Sequence, residues 1–160
     1  MATYAIGGVS YNTLVEWASN VTAQAKANIL RKNKVATGNL YKSITFDVLP
    51  NGTVDFYYDD AGDYVEGGRP PNSKFPPPPV IAQWIKVKGL EQWRNKKGRF
   101  ISRDAQTFLI GRAIAKNGIK PFPFFTDPFD EAMKSYAYIL EEAIVQDIEN
   151  DIDTMVSVKL

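Results

Sequence analysis

Residues 44–58 read ITFDVLPNGTVDFYY. Ile44, Phe46 and Val48 alternate with Thr45 and Asp47, and Val54, Phe56 and Tyr58 alternate with Asp55 and Tyr57. A period of two sends each apolar set to one face of a strand. Between the two runs lies Leu49-Pro50-Asn51-Gly52, where Asn-Gly supplies positive φ at low cost. The stretch therefore predicts a β-hairpin with one apolar face, and a two-stranded ribbon needs something to bury that face against. Just upstream, Leu14, Trp17, Ala18, Val21, Ala25 and Ile29 recur at helical spacing and predict a helix over about 12–31. Thr13 with Glu16 three residues on has the capping-box pattern for its start.

The rest of the chain divides at its prolines and glycines. Asn39–Ile44 predicts a short helical turn after Gly38, and Asp59-Asp60-Ala61-Gly62-Asp63 predicts an acidic turn after the hairpin. Residues 64–79, YVEGGRPPNSKFPPPP, form a stiff arm, because Pro76–Pro79 hold polyproline II geometry and lack amide donors. Pro79 suits the first position of a helix, with Ile81, Trp84 and Ile85 as its buried face and Gly89 as its end. Residues 90–100 predict a basic loop or loose hairpin. Ser102 caps a helix from about Arg103 whose stripe is Ala105, Phe108, Leu109 and Ala113, ending at Gly118. The PFPFF run around Phe122, Phe124 and Phe125 reads as core. Asp127-Pro128 opens a last helix with Met133, Ala137, Leu140, Ile144 and Ile148 inward, and the alternation Val156, Val158, Leu160 predicts a closing strand. The expectation is a single α+β domain over 1–160: a small antiparallel sheet, made of the 44–58 hairpin and a C-terminal strand, packed with a long N-terminal helix and two or three others. Because both flanks of the proline-rich arm belong to one core, the arm is not an interdomain linker.

The chain has 160 residues with no cysteine and no histidine, which excludes disulfides, thiolate nucleophiles, Cys/His zinc sites and the commonest neutral-pH general base. No leader-like start and no apolar run near the ~20 residues of a membrane span predict a soluble, non-secreted protein. Net charge is +1, yet Lys86–Arg103 holds seven cations against one acid, and Asp127–Asp153 holds nine acids against Lys134. Three function classes compete. Asp59, Asp60, Asp63 and Glu66 suit a metal-dependent hydrolase, although turn aspartates bond local amides without any metal. Lys86, Lys88, Arg94, Lys96, Lys97, Arg99 and Arg103, with Trp93 and Phe100 among them, suit a nucleic-acid-binding module that tracks phosphates and stacks bases. A basic segment and an acidic segment in one chain also suit head-to-tail copies in a ring, each basic patch against the next acidic one.

The order of pieces tips the balance. Thr37-Gly38-Asn39-Leu40-Tyr41-Lys42-Ser43-Ile44 resembles the TGxLxxSI signature that follows a long N-terminal helix in the neck and tail-completion (head–tail joining) proteins of tailed bacteriophages. Asp63-Tyr64-Val65-Glu66, with Gly-Arg-Pro close behind, is similar to that family's YxxYVExGxxP region. Pro79–Gly89, FLIGRAIAKNGI at 108–119 and Pro121-Phe122 before a final helix follow in the family's order, so the likeness spans about 12–148. Gly67 stands where that family often carries a bulky residue, and the PNSKFPPPP insertion is longer and stiffer than the resemblance leads one to expect. The resemblance implies a non-enzymatic virion protein without cofactor or metal, assembled in the host cytoplasm. It would form a homo-oligomeric ring, a hexamer or alternatively a dodecamer, at the head–tail junction. Its partners would be a connector or portal-side neck protein and a tail terminator or tail tube protein, with DNA passing through the channel without sequence-specific contact and no membrane involved. On this reading Tyr64, Glu66, Arg69, Pro70, Pro71 and Phe75 of the arm, with Lys96, Lys97 and Arg99 of the basic loop, form the subunit and partner interface. Arg69, held between rigid residues, would pair with an acid of the adjacent subunit.

Overall fold

The computed structural model describes residues 6–32 and 37–157. Six helices and two strands follow in the order α1 (Gly8–Arg31), α2 (Asn39–Ser43), β1 (Thr45–Val48), β2 (Val54–Tyr57), α3 (Ala61–Gly67), α4 (Pro78–Val87), α5 (Arg103–Asn117) and α6 (Thr126–Ser157). The fold is α+β and mostly helical. The hairpin forms as the alternation requires, antiparallel, with Phe46 opposite Phe56 and Val48 opposite Val54. In its turn the Gly52 amide donates to the Leu49 carbonyl, and Gly52 alone of the turn residues takes positive φ, at 83°.

Helices α1 and α6 lie antiparallel, since Asn28 bonds Phe124, Trp17 bonds Ala132, and Val9 and Ser10 bond Asp147. Ala18, Val21 and Ala25 are fully buried on α1, small enough to let α6 and the hairpin close on it. Trp17 sits where the three meet. Its ring centroid lies 4.8 Å from Tyr136 and 5.8 Å from both Phe56 and Phe129, and its Nε1–H donates to the Ala132 carbonyl at 3.2 Å. Beside it, Ala25, Ile29, Ile44 and Phe124 form a second cluster that Leu40, Tyr58 and Val65 close over, so the PFPFF run is core as expected.

Among the described residues the two strands of the hairpin make the whole sheet. No closing strand begins at Val156, because Val156 and Ser157 continue α6, and residues 158–160 lie outside the described part. The acidic turn after the hairpin is the start of a further helix, α3, which takes in Tyr64 to Gly67 of the expected arm. Helix α1 begins at Gly8, and its own Thr13 supplies no cap. The inner stripe of α6 is Phe129, Ala132, Tyr136, Ile139 and Ala143; Met133, Ile144 and Ile148, expected inward, are 42%, 45% and 53% exposed. Both stripes are apolar at helical spacing. The observed one wins because Phe129 and Tyr136 flank Trp17 while Ala132 and Ala143 permit close approach.

Helix α4 begins at Pro78, with Ile81 and Ile85 buried and Trp84, expected beside them, 42% exposed. Ser102 caps α5 through the Ala105 amide, as its position implied. The buried residues of α5 are Gln106, Thr107 and Gly111, whereas Phe108 is 55% exposed and Ala113 exposed. Phe75 from the arm accounts for this rotation: it stacks on Phe108 at 5.7 Å and occupies the space above Gly111 that any Cβ would need.

Because one indole joins α1, the hairpin and α6, Trp17→Ala is expected to lower unfolding free energy by about 3–5 kcal/mol. Trp17→Phe, which keeps a ring but loses the donor, should cost less. Urea denaturation followed by far-ultraviolet circular dichroism distinguishes the two.

Candidate assembly surface

The arm folds onto its own helix. Arg69 and Ile119 exchange backbone hydrogen bonds, each 2.8 Å, in an isolated bridge. The approach is so close that a Cβ on Gly68 would lie 2.4 Å from the Ile119 carbonyl, and one on Gly118 2.2 Å from that of Arg69. Both glycines also have positive φ. The Asn72 and Ser73 amides then donate to the Lys116 and Ala115 carbonyls, which the end of α5 leaves without helical partners. Arg69 Nε donates to Ser73 Oγ at 2.7 Å, and its terminal nitrogen donates to the Lys74 carbonyl. The Arg69 guanidinium thus holds the arm to itself. Pro76 is buried, Phe75 is half-buried, and Pro70, Pro71 and Tyr64 are exposed, Tyr64 at 77%.

Glu66 has a task that its place in a motif did not disclose. One carboxylate oxygen accepts from the Phe125 and Thr126 amides and the other from the Thr126 hydroxyl at 3.0 Å. It caps α6 from another helix, placing negative charge at the positive end of the macrodipole. The neighbouring acids work separately: Asp59 accepts from the Ala61 amide and Asp63 from the Tyr58 hydroxyl. Among the described residues no group of three acids is arranged to hold a metal ion.

Asp147, unremarkable among the acids of α6 in the sequence, caps α1 in the same manner. Its two oxygens accept from the Val9 and Ser10 amides at 2.9 and 2.8 Å. The Ser10 hydroxyl, assisted by these amides, holds its carboxyl below the ordinary value of 3.8, against a smaller opposing effect of desolvation. Each long helix is therefore started by a carboxylate distant in sequence.

The basic loop is a short hairpin. Arg94 and Phe100 form a bridge, the Asn95 amide donates to the Arg99 carbonyl, and the Asn95 side chain accepts from the Lys97 and Arg99 amides. The Arg94 guanidinium lies over the Phe100 ring at 3.9 Å. Gln106, fully buried on α5, anchors the base: its amide donates to the Glu91 carbonyl, and its oxygen accepts from Arg103, which also donates to the Leu90 carbonyl. A buried glutamine at a helix position has no sequence signal, because glutamine is ordinarily a surface residue. At the tip Lys96, Lys97 and Arg99 are all exposed, with Trp93 and Phe100 exposed at 45% and 58%. The expected interface residues thus occupy three places: Tyr64 and Glu66 on α3, with Glu66 under the start of α6, the arm along α5, and this hairpin.

The third surface was not expected. On α6 the side away from α1 carries Tyr138, Val145 and Ile152 at intervals of seven, 64%, 48% and 54% exposed. Glu141, Glu142 and Glu149 join Tyr138 and Val145 around a shallow groove of about 470 Å³. The Tyr138 hydroxyl donates to Glu142 at 2.5 Å, and this bond raises the tyrosine pKa above 10.0. Among the described residues no helix is long and apolar enough to cross a membrane. Comparison with family models, curated proteins and solved structures gave no match.

Two variants read the caps. Glu66→Ala should cost about 1–3 kcal/mol of stability, the range for a charged hydrogen-bonded group, and Glu66→Gln less. Hydrogen exchange at Phe125 and Thr126 should quicken in the same order. For Asp147 the depressed pKa contributes stability that is present above 3.8 and is lost as pH falls through the folded value. Asp147→Asn lacks that titration, so the stability gap between wild type and variant should be constant above about pH 5 and shrink below pH 4. Denaturation midpoints across pH 2.5 to 7, a range of roughly that width about the carboxylate pKa, measure it.

Proposed function

We propose that this chain is a virion structural protein of a tailed bacteriophage, a subunit of a ring at the head–tail junction that completes the tail or joins it to the head. The observation that carries the reading is the pair of apolar faces on α6, of which α1 covers one. A helix apolar on two sides needs a second partner. The order of signatures from Thr37 to Phe122 supports the same assignment. So does the manner in which the arm and the basic hairpin are held: pre-shaped segments lose less conformational entropy on docking than floppy ones. The chemistry is then protein–protein contact with copies of itself, six or alternatively twelve. Further contacts would be with a connector-side neck protein and with a tail terminator or tube protein, around a channel that DNA traverses. No side chain is assigned a catalytic role.

One observation favours a second reading. The hairpin presents Arg94, Lys96, Lys97 and Arg99 with two exposed aromatics, a combination suited to single-stranded nucleic acid.

Deleting the gene from the encoding phage is expected to yield DNA-filled heads and separate tails, with purified protein restoring joined, infectious particles in the extract. Infectious particles that lack the protein would overturn the assignment. Salt-sensitive retardation of oligonucleotides, abolished by Lys96→Glu with Lys97→Glu, would instead support the second reading.

A further inference from the structure

We infer that the outward face of α6 is the seat for the 92–101 hairpin of a second copy of this chain, an inference that rests on the ring reading above. Val145 is two residues from buried Ala143 and so projects from the opposite side of the helix. With Tyr138 and Ile152 it makes an apolar row, and Val156, 57% exposed, extends it. Three carboxylates, Glu141, Glu142 and Glu149, stand along that row at the groove.

The charge pattern selects the occupant. Pairing α6 with α6 of another copy would set these carboxylates against their equals, which is destabilising at close range. Nucleic acid is repelled for the same reason. What fits is a cationic element with apolar surface of its own, and the chain carries one. Residues 92–101 contain four cations and no acid. Their Trp93 and Phe100 rings are exposed, and the Asn95 carboxamide and the Gln106 anchor hold them in shape. Phe100 and Trp93 would lie on Val145 and Tyr138 while Lys96, Lys97 and Arg99 meet the glutamates. Seat and hairpin are different surfaces of one chain, so the contact is head-to-tail and closes into a ring when the rotation allows.

The absence of natural cysteine makes the test clean. Full-length Val145→Cys and Phe100→Cys proteins are mixed and treated with a short bismaleimide. The expected result is a crosslinked dimer enriched about ten-fold over either protein alone, as electrostatic complementarity favours the mixed pair. It should fall away at about 1 M salt, where the Debye length is about 3 Å. Reversing the seat with Glu141→Lys, Glu142→Lys and Glu149→Lys should abolish it, and adding Lys96→Glu, Lys97→Glu and Arg99→Glu on the hairpin partner should restore it. Equal yields from the mixture and from Val145→Cys alone would mean that α6 pairs with itself and would overturn the inference; so would no dimer, or a dimer indifferent to charge reversal. Protein found at the neck of virions without this crosslink would sink the seat and leave the ring reading standing. The crosslink in a protein missing from virions would do the reverse.

Discussion

The structure depends on how α1 and α6 are held against each other. Their interface is narrow in sequence terms, set by Trp17, Phe129 and Tyr136 with alanines between, and everything else is arranged around it. The hairpin contributes Phe46 and Phe56 to the same cluster, and Phe125 reaches it from the loop ahead of α6. Large aromatic rings in edge-to-face contact make such a cluster directional as well as apolar. It fixes the rotation of α6 about its own axis, and that rotation in turn decides which residues of α6 face outward.

Carboxylates fix the long helices lengthwise, Asp147 setting α1 against α6 and Glu66 setting α6 against α3. Glu66 lies at the beginning of α6 and Asp147 at the beginning of α1, so each helix start is tied to an element remote in the chain. A slide of one turn along the pair would break the Asp147 cap and unseat the indole.

Much of this was legible in the residues, because the hairpin, α2, the Ser102 cap, Gly118, the α1 stripe and the core role of PFPFF follow from local periodicity and turn chemistry. What failed to read out was tertiary. Helix α6 has two apolar stripes, and periodicity alone ranks them equally; only the aromatic neighbours of Trp17 choose. The α5 stripe was misplaced because a glycine, invisible to hydropathy, receives Phe75 from the arm. The C-terminal alternation shows the limit of a short pattern, since Val156 and Ser157, its described members, are carried along by a helix already formed. Of the surface residues, the cationic hairpin was evident from composition, while Glu66 and Arg69 turned out to be engaged within the chain. The outward row of α6 has no such signal, because Tyr138, Val145 and Ile152 lie off the stripe that the spacing predicts, and Val156 reads as part of a strand.

Asp147 marks where α1 ends its cover, and every residue of α6 from Ile148 to Ser157 is exposed beyond it. Among the described residues these ten, about 15 Å of helix, are held by their own backbone ladder and by the Thr154 and Ser157 hydroxyls, which donate to the Asn150 and Asp153 carbonyls one turn back. A helix end without packed neighbours opens at lower free-energy cost than the packed part of the same helix. Any neighbour that grips this end must also offset the cost of ordering it, which makes each contact weaker than its area suggests. A contact made at this end would therefore form and release more readily than one made where α1 already holds α6 in place.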